Sequence, residues 1–242
     1  MSFLNRIFSR NNNSKPTGAL TLAGGDIFHT YTDGKYLVYK LLSDDFTNDC
    51  YHVLCYYPLS HIPTIADISA LKVNIYHAPF NKGAIKNAAF LAHTAVLAQD
   101  LIGYHEYLRQ TQTPEHYFPI AQEYYLSALQ LTDDYKFREA IDVYSKAIDL
   151  VPQFFEAIDN RAFCKMDMAL WQDAIDDFRL SLQVNPDTML AEFSIGECYF
   201  QMKDYTNAHH HFQTAHNIAP EDPTPILFLK KVADITGAAA EE

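Results

Sequence analysis

Four cysteines, Cys50, Cys55, Cys164 and Cys198, are scattered through 242 residues, and none forms a C-x-x-C pair. That absence removes the common zinc and dithiol motifs, so reduced thiols in a cytoplasmic protein are expected. Two of the four fall in helical sequence, where a free thiol behaves as a small hydrophobe. No run of eighteen apolar residues occurs, so no transmembrane helix is expected. The opening MSFLNRIFSR lacks the continuous apolar stretch of a secretory signal; Phe3, Leu4, Ile7 and Phe8 with Arg6 and Arg10 read as a short basic amphipathic turn at a frayed end. The phosphate-loop, dinucleotide and nucleophile-elbow glycine motifs are all missing, and His105-Glu106 is not followed by a histidine at zinc-protease spacing. Gly24-Gly25 precedes a strand-like run rather than a helix, which makes a turn and not a phosphate cradle. No catalytic residue, cofactor or metal is expected, and the chain reads as non-enzymatic.

Positive charge is scarce in one half only. Residues 1–112 hold nine Lys/Arg against eight Asp/Glu, whereas residues 113–242 hold nine against twenty-two. An acidic half repels nucleic-acid phosphates and acidic membranes and attracts basic partners, besides keeping the protein soluble. Aromatic residues are plentiful, with 16 Tyr and 16 Phe, which suits the knobs between stacked helices.

Residues 1–18 form a flexible segment and linker, with SRNNNSKPTG rich in breakers. Residues 19–112 then have a β texture. DIFHTYTDGKYLVYKLL reads as two strands around the hairpin turn Asp33-Gly34, and CYHVLCYY at 50–57 as a third. A short helix at 64–71 and a strand at 72–77 follow. Residues 84–110 read either as one helix or as a strand at 87–93 and a helix at 97–110; the split is favoured because Thr94 and Val96 interrupt the alanine-rich run. A small antiparallel sheet packed by helix is expected.

From residue 114 the pattern is helical, and it repeats. Pro152, Pro186 and Pro220 lie 34 residues apart. So do Ala140, Ala174 and Ala208; Tyr144, Phe178 and Phe212; Phe137, Trp171 and Tyr205; and Ala147, Ser181 and Ala215. Small residues are needed where the second helix of a hairpin crosses the first, an aromatic four residues on fills the gap to the next unit, and proline ends the helix. The set resembles the tetratricopeptide repeat, with units at 121–154, 155–188 and 189–222 and a cap helix at 224–235 inside a domain of residues 113–236. The first-helix pattern is best kept in the third unit, as Ile195, Gly196 and Tyr199; the first unit has Ser127, Ala128 and Leu131. The fold class is therefore α+β: a small N-terminal antiparallel β-containing domain, then an all-α solenoid of three helix-turn-helix repeats with its cap.

The resemblance implies a protein-interaction module, an adaptor or scaffold that holds a peptide or helix of a partner on the face lined by first helices. That groove would present Tyr125, Leu129, Asp159, Asn160, Phe163, Phe193, Glu197 and Phe200. The subclass that clamps acidic chaperone tails uses cations and amides at positions occupied here by Tyr125, Leu129, Asn160, Leu190 and Ser194, of which only Asn160 matches. An apolar or basic partner is expected instead, and an open groove with exposed Phe163, Phe193 and Phe200 would mark it; the chain's own helix near 97–110 is a competing occupant. GDIFHTYTDGKYLVYKLL with the later KVNIYHAPF resembles the small β domains of bacterial toxin-immunity proteins, which implies the alternative of an inhibitor that captures a basic toxin. His209, His210, His211 and His216 lack the i,i+4 pairing of a helical metal site; His209 and His216 fall in packing columns and are expected against the cap helix. His29, His52, His77 and His93 are spread over the strands, and an enzyme reading would need the first three to converge.

Overall fold

The computed structural model describes residues 21–85 and 87–237, so the expected linker and amphipathic turn of residues 1–18 and the AAAEE tail lie outside the described residues. The chain divides into two compact units, Met1–Thr113 and Pro114–Glu242.

The first unit is a five-stranded antiparallel sheet in the order β4-β3-β2-β1-β5. Its strands are β1 (Asp26–Thr32), β2 (Lys35–Asp45), β3 (Cys50–Tyr56), β4 (Val73–Asn81) and β5 (Ala89–His93). Asp33 and Gly34 both have positive φ, 50° and 77°, the geometry of the two-residue hairpin loop that matches strand twist, and Thr32 pairs with Lys35 across it. The segment expected as a helix at 64–71 is a 3₁₀ turn, Ile65–Ala70, capped by Thr64 and Asp67. Strand β4 runs four residues beyond the expected 77, through Pro79. Proline is tolerated there because β4 is a sheet edge, whose outward-facing N–H groups have no ladder partner to lose.

Helix α1 (Ala98–Thr111) lies on β4 and β2 and buries Leu101, Tyr104, His105 and Leu108. Its apolar face is thus committed to the sheet. Two features set its seat. Lys40 of β2 is buried and reaches both Asp100, at 2.7 Å, and the Ala95 carbonyl, at 2.6 Å. Gly103 sits so close to β4 that a Cβ would fall 2.8 Å from Tyr76 Cβ and 2.9 Å from its carbonyl carbon.

The second unit consists of α2 (Pro114–Asp133), α3 (Phe137–Leu150), α4 (Phe155–Asp167), α5 (Trp171–Val184), α6 (Met189–Gln201), α7 (Tyr205–Ile218) and α8 (Pro223–Thr236). Each packs on the next. The second helices α3, α5 and α7 start at the aromatic column, and Ala140, Ala174, Ala208, Tyr144, Phe178, Phe212, Ala147, Ser181 and Ala215 are all fully buried. The turn inside each hairpin recurs as well. Tyr135, Ala169 and Lys203 have φ of 59°, 56° and 63°, and the N–H after each donates to a carbonyl five residues back at 2.9 Å. Gly237, with φ 70°, continues the series after α8. Helix α2 begins seven residues before the first unit, and α8 is one residue longer at each end than expected.

Candidate functional site

Columns 34 residues apart carry the expected groove. Tyr125, Asp159 and Phe193 occupy one column of α2, α4 and α6; Leu129, Phe163 and Glu197 occupy the column one turn on. Asn160 follows Asp159, and Phe200 lies near the end of α6. The structure gives these residues different surroundings. Tyr125 is half-buried, with its ring 5.0 Å from Phe154 and its hydroxyl 3.4 Å from the Asn160 amide, which also donates to the Glu156 carbonyl at 2.7 Å. Phe163 meets Phe178 edge-on at 5.2 Å. Phe193 packs on Phe212 and on Phe228 of α8, and Phe200 packs on Tyr205 and Phe228. Phe163, Phe193 and Phe200 are accordingly half-buried rather than exposed, because their inner edges complete the core and the cap.

Three leucines are among the exposed apolar side chains of these helices, with Phe118 on α2 and Ile235 on α8. Leu126 on α2 is 59% exposed, Leu190 on α6 47%, and Leu227 on α8 55%. Leu126 shares the column of Asn160, and Leu227 that of Phe193. Leu126 was legible as a leucine outside the columns of small and aromatic core residues, and Leu227 as the continuation of the Tyr125, Asp159 and Phe193 column into the cap helix.

Lysine and arginine are sparse on the first helices of the units. Helices α2 and α6 contain no Lys or Arg. On α4, Arg161 donates to Asp177 through two nitrogens, at 2.8 and 2.7 Å, and to Ser145 at 2.9 Å, while Lys165 lies 2.6 Å from the same carboxylate. Ser194 is buried. Burial pushes the Asp159 carboxyl above its ordinary range; the Ser181 hydroxyl offsets part of this and the Glu156 charge adds to it. Burial likewise raises the half-buried Glu197, against the opposing charge of Lys231.

The histidines separate. His209 is exposed, contrary to its expected packing, because the earlier units stack a complete hairpin on this position whereas α7 is followed by α8 alone. His210 is exposed, His211 is held by Glu192 at 2.7 Å, and His216 is half-buried. In the first unit His52 Nδ1 and His77 Nε2 are 2.8 Å apart, but His29 stands apart against Tyr36 and His93 pairs with Asp26 at 2.9 Å. The three-histidine convergence does not form. Among the described residues no group of three His, Cys, Asp or Glu side chains is placed to hold a metal ion, and no helix is long and apolar enough to cross a membrane.

The stacked hairpins, their columns and their recurring left-handed turns define the second unit as a tetratricopeptide-repeat array. No protein-family model matches the chain. A stretch of 107 residues, 44% of the chain, is 32% identical to the E3 ubiquitin-protein ligase CHIP of Arabidopsis thaliana, and the match spans 34% of that protein, about a third of its length. Among solved structures, the chain is similar to the first TPR of Spaghetti (RPAP3) bound to HSP90 peptide SRMEEVD, at 20% identity and TM-score 0.47, covering 49% of this chain and 94% of that one. It is also similar to the Arabidopsis OM64 TPR domain, at 17% identity and TM-score 0.46, covering 48% and 97%.

Proposed function

We propose that the second unit is a non-catalytic protein-interaction module, an adaptor or scaffold whose first-helix face takes an apolar and basic peptide or helix of another protein. One observation carries this reading: α2 and α6 expose leucines, α2 and α4 expose carboxylates, and the only Lys and Arg of α2, α4 and α6 are bound to Asp177. An acidic chaperone tail would bring carboxylates to Tyr125, Leu129, Asn160, Leu190 and Ser194, where nothing neutralises them, and desolvating an unpaired charge is costly. Tyr125, Leu129, Asn160, Phe163, Glu197 and the outer edges of Phe193 and Phe200 would line the occupied face, with Leu126, Leu190 and Leu227 as its apolar contacts.

Calorimetric titration of the full chain tests this. An amphipathic leucine-rich peptide carrying lysines should bind, with affinity falling as salt rises, and the SRMEEVD peptide should not. Tight binding of SRMEEVD would sink the reading. The acid surplus of residues 113–242 also suits capture of a basic toxin by an immunity-type inhibitor. A toxin reading frame beside the gene, and protection of cells that express that toxin, would favour this second reading.

A further inference from the structure

The aromatic residue that opens each second helix has different surroundings from unit to unit. In the first, Tyr135 occupies the left-handed turn and stands edge-on to Phe137, ring centres 6.0 Å apart at 80°, while staying 81% exposed. Thirty-four positions on, the turn residue is Ala169 and the column residue Trp171. Ala169 brings a methyl group where Tyr135 brings a ring, and beside Trp171 a pocket of about 300 Å³ lies open. Ala169, Leu170, Trp171, Gln172 and Asp173 line it, with Met202 just past the end of α6. Leu170 and Met202 are exposed apolar walls, whereas Trp171 is half-buried and packs inward on the core shared by α4, α5 and α6. Lys136 and Arg138 flank Phe137, but Leu170 and Gln172 take those places beside Trp171, so the lining carries one charge, the negative one of Asp173.

We infer that this pocket takes one tyrosine side chain of a partner protein, a contact at the hairpin turns that does not depend on the groove reading. Its volume is on the scale of a single large side chain, at the lower end of ligand pockets. Tyr135 displays the residue type within the chain itself: the flank of a column aromatic accepts a ring edge-on, an arrangement that ring quadrupoles favour. An aliphatic side chain would bury area there without that gain. The Asp173 carboxylate accepts a hydrogen bond from a phenol and repels an anion, so phosphorylation of the same tyrosine opposes entry. A guanidinium would meet four apolar side chains and one solvent-exposed carboxylate, and an ion pair in water contributes little.

Trp171 is the chain's single tryptophan, so its emission reports on this pocket. The full chain, excited at the red edge where tyrosine does not absorb, is titrated into the millimolar range with blocked peptides Gly-Ser-X-Ser-Gly, X being tyrosine, phosphotyrosine, leucine or arginine. The tyrosine peptide should shift the emission and bind about fivefold more tightly than the leucine peptide, and the phosphotyrosine peptide should leave the emission unchanged. Ala169→Tyr should fill the pocket from within, moving the emission without peptide and abolishing the response; Tyr135, at φ 59°, shows that this turn accepts the residue. Should that variant fail to fold, Met202→Phe fills the pocket from the opposite wall with the same expected result. Equal responses to tyrosine and leucine, tightest binding of the arginine or phosphotyrosine peptide, no response, or a response that persists in the filled variants overturns the inference. None of these outcomes touches the groove reading, which the leucine-rich and SRMEEVD peptides decide.

Discussion

Gly196 has no side chain because Phe212 occupies the space one would take: a Cβ would stand 2.6 Å from two ring carbons that are themselves fully buried. The first two units hold Ala128 and Ala162 at this position, so the crossing of α6 and α7 is the tight one. Gly196→Ala should therefore destabilise the array by about 1–3 kcal/mol despite its better helix propensity, a cost readable from the urea midpoint. At Lys203 the sign reverses. Its φ of 63° is a conformation that L side chains reach at a cost, and its side chain is exposed. Lys203→Gly should stabilise by up to about 1 kcal/mol in the same measurement. Neither feature was legible in the sequence alone. Tyr135, Ala169 and Lys203 share a backbone angle but no side-chain character, and the spacing marks Gly196 as a place for a small residue without saying how tight. Asp159 was legible as part of a groove column, but not its burial, which depends on packing between α4 and its neighbours.

Among elements, α1 is tied to the sheet by a buried ion pair, Lys40 with Asp100. Asp100→Ala would leave the buried Lys40 ammonium with the neutral Ala95 carbonyl and no counter-charge, and unfolding experiments should show a loss of about 3 kcal/mol; replacing both residues with apolar ones of similar volume should recover most of it. Near the helix's middle, Tyr104 and Tyr107 cover the His52–His77 pair, with Asp45 3.9 Å from His52. Burial pulls His77 down to about 4, with the His52 charge adding to it; burial also lowers His52, against the opposing pull of Asp45. Both rings are thus neutral in the native state at a pH where the unfolded chain binds protons, near 6.5 and below. Their contribution to stability is present above pH 6.5 and is lost as pH falls from there towards 4. Urea midpoints between pH 7.5 and 4.5 should show that decline, and His77→Gln should flatten it. The strands themselves were legible from alternation and from Asp33-Gly34, but residues 52 and 77 meet only through the β3–β4 pairing, which no local pattern marks. The weak first-helix pattern of the second unit has a similar long-range cause: Arg161 and Lys165 stand where the third unit has Ile195 and Tyr199, and both serve Asp177 across the hairpin.

For the repeat array as a whole, the end matters as much as the period. Phe228 of α8 touches Phe193, Phe200 and Phe212, so this helix closes the open side of the third unit. Removing residues 223–242 should expose those rings, with increased ANS fluorescence and concentration-dependent association in gel filtration. Pro223 stands 34 residues after Met189, where α6 begins, and Gly237 stands 34 after Lys203, already in the left-handed turn that leads each first helix into its second. Helix α8 and Gly237 therefore keep the phase of a first helix and its turn, like a zipper tooth in register. A designed helix fused behind Gly237 in the phase of α7 would find its berth prepared, and lengthening the spiral by such grafts should raise its melting temperature with each one added.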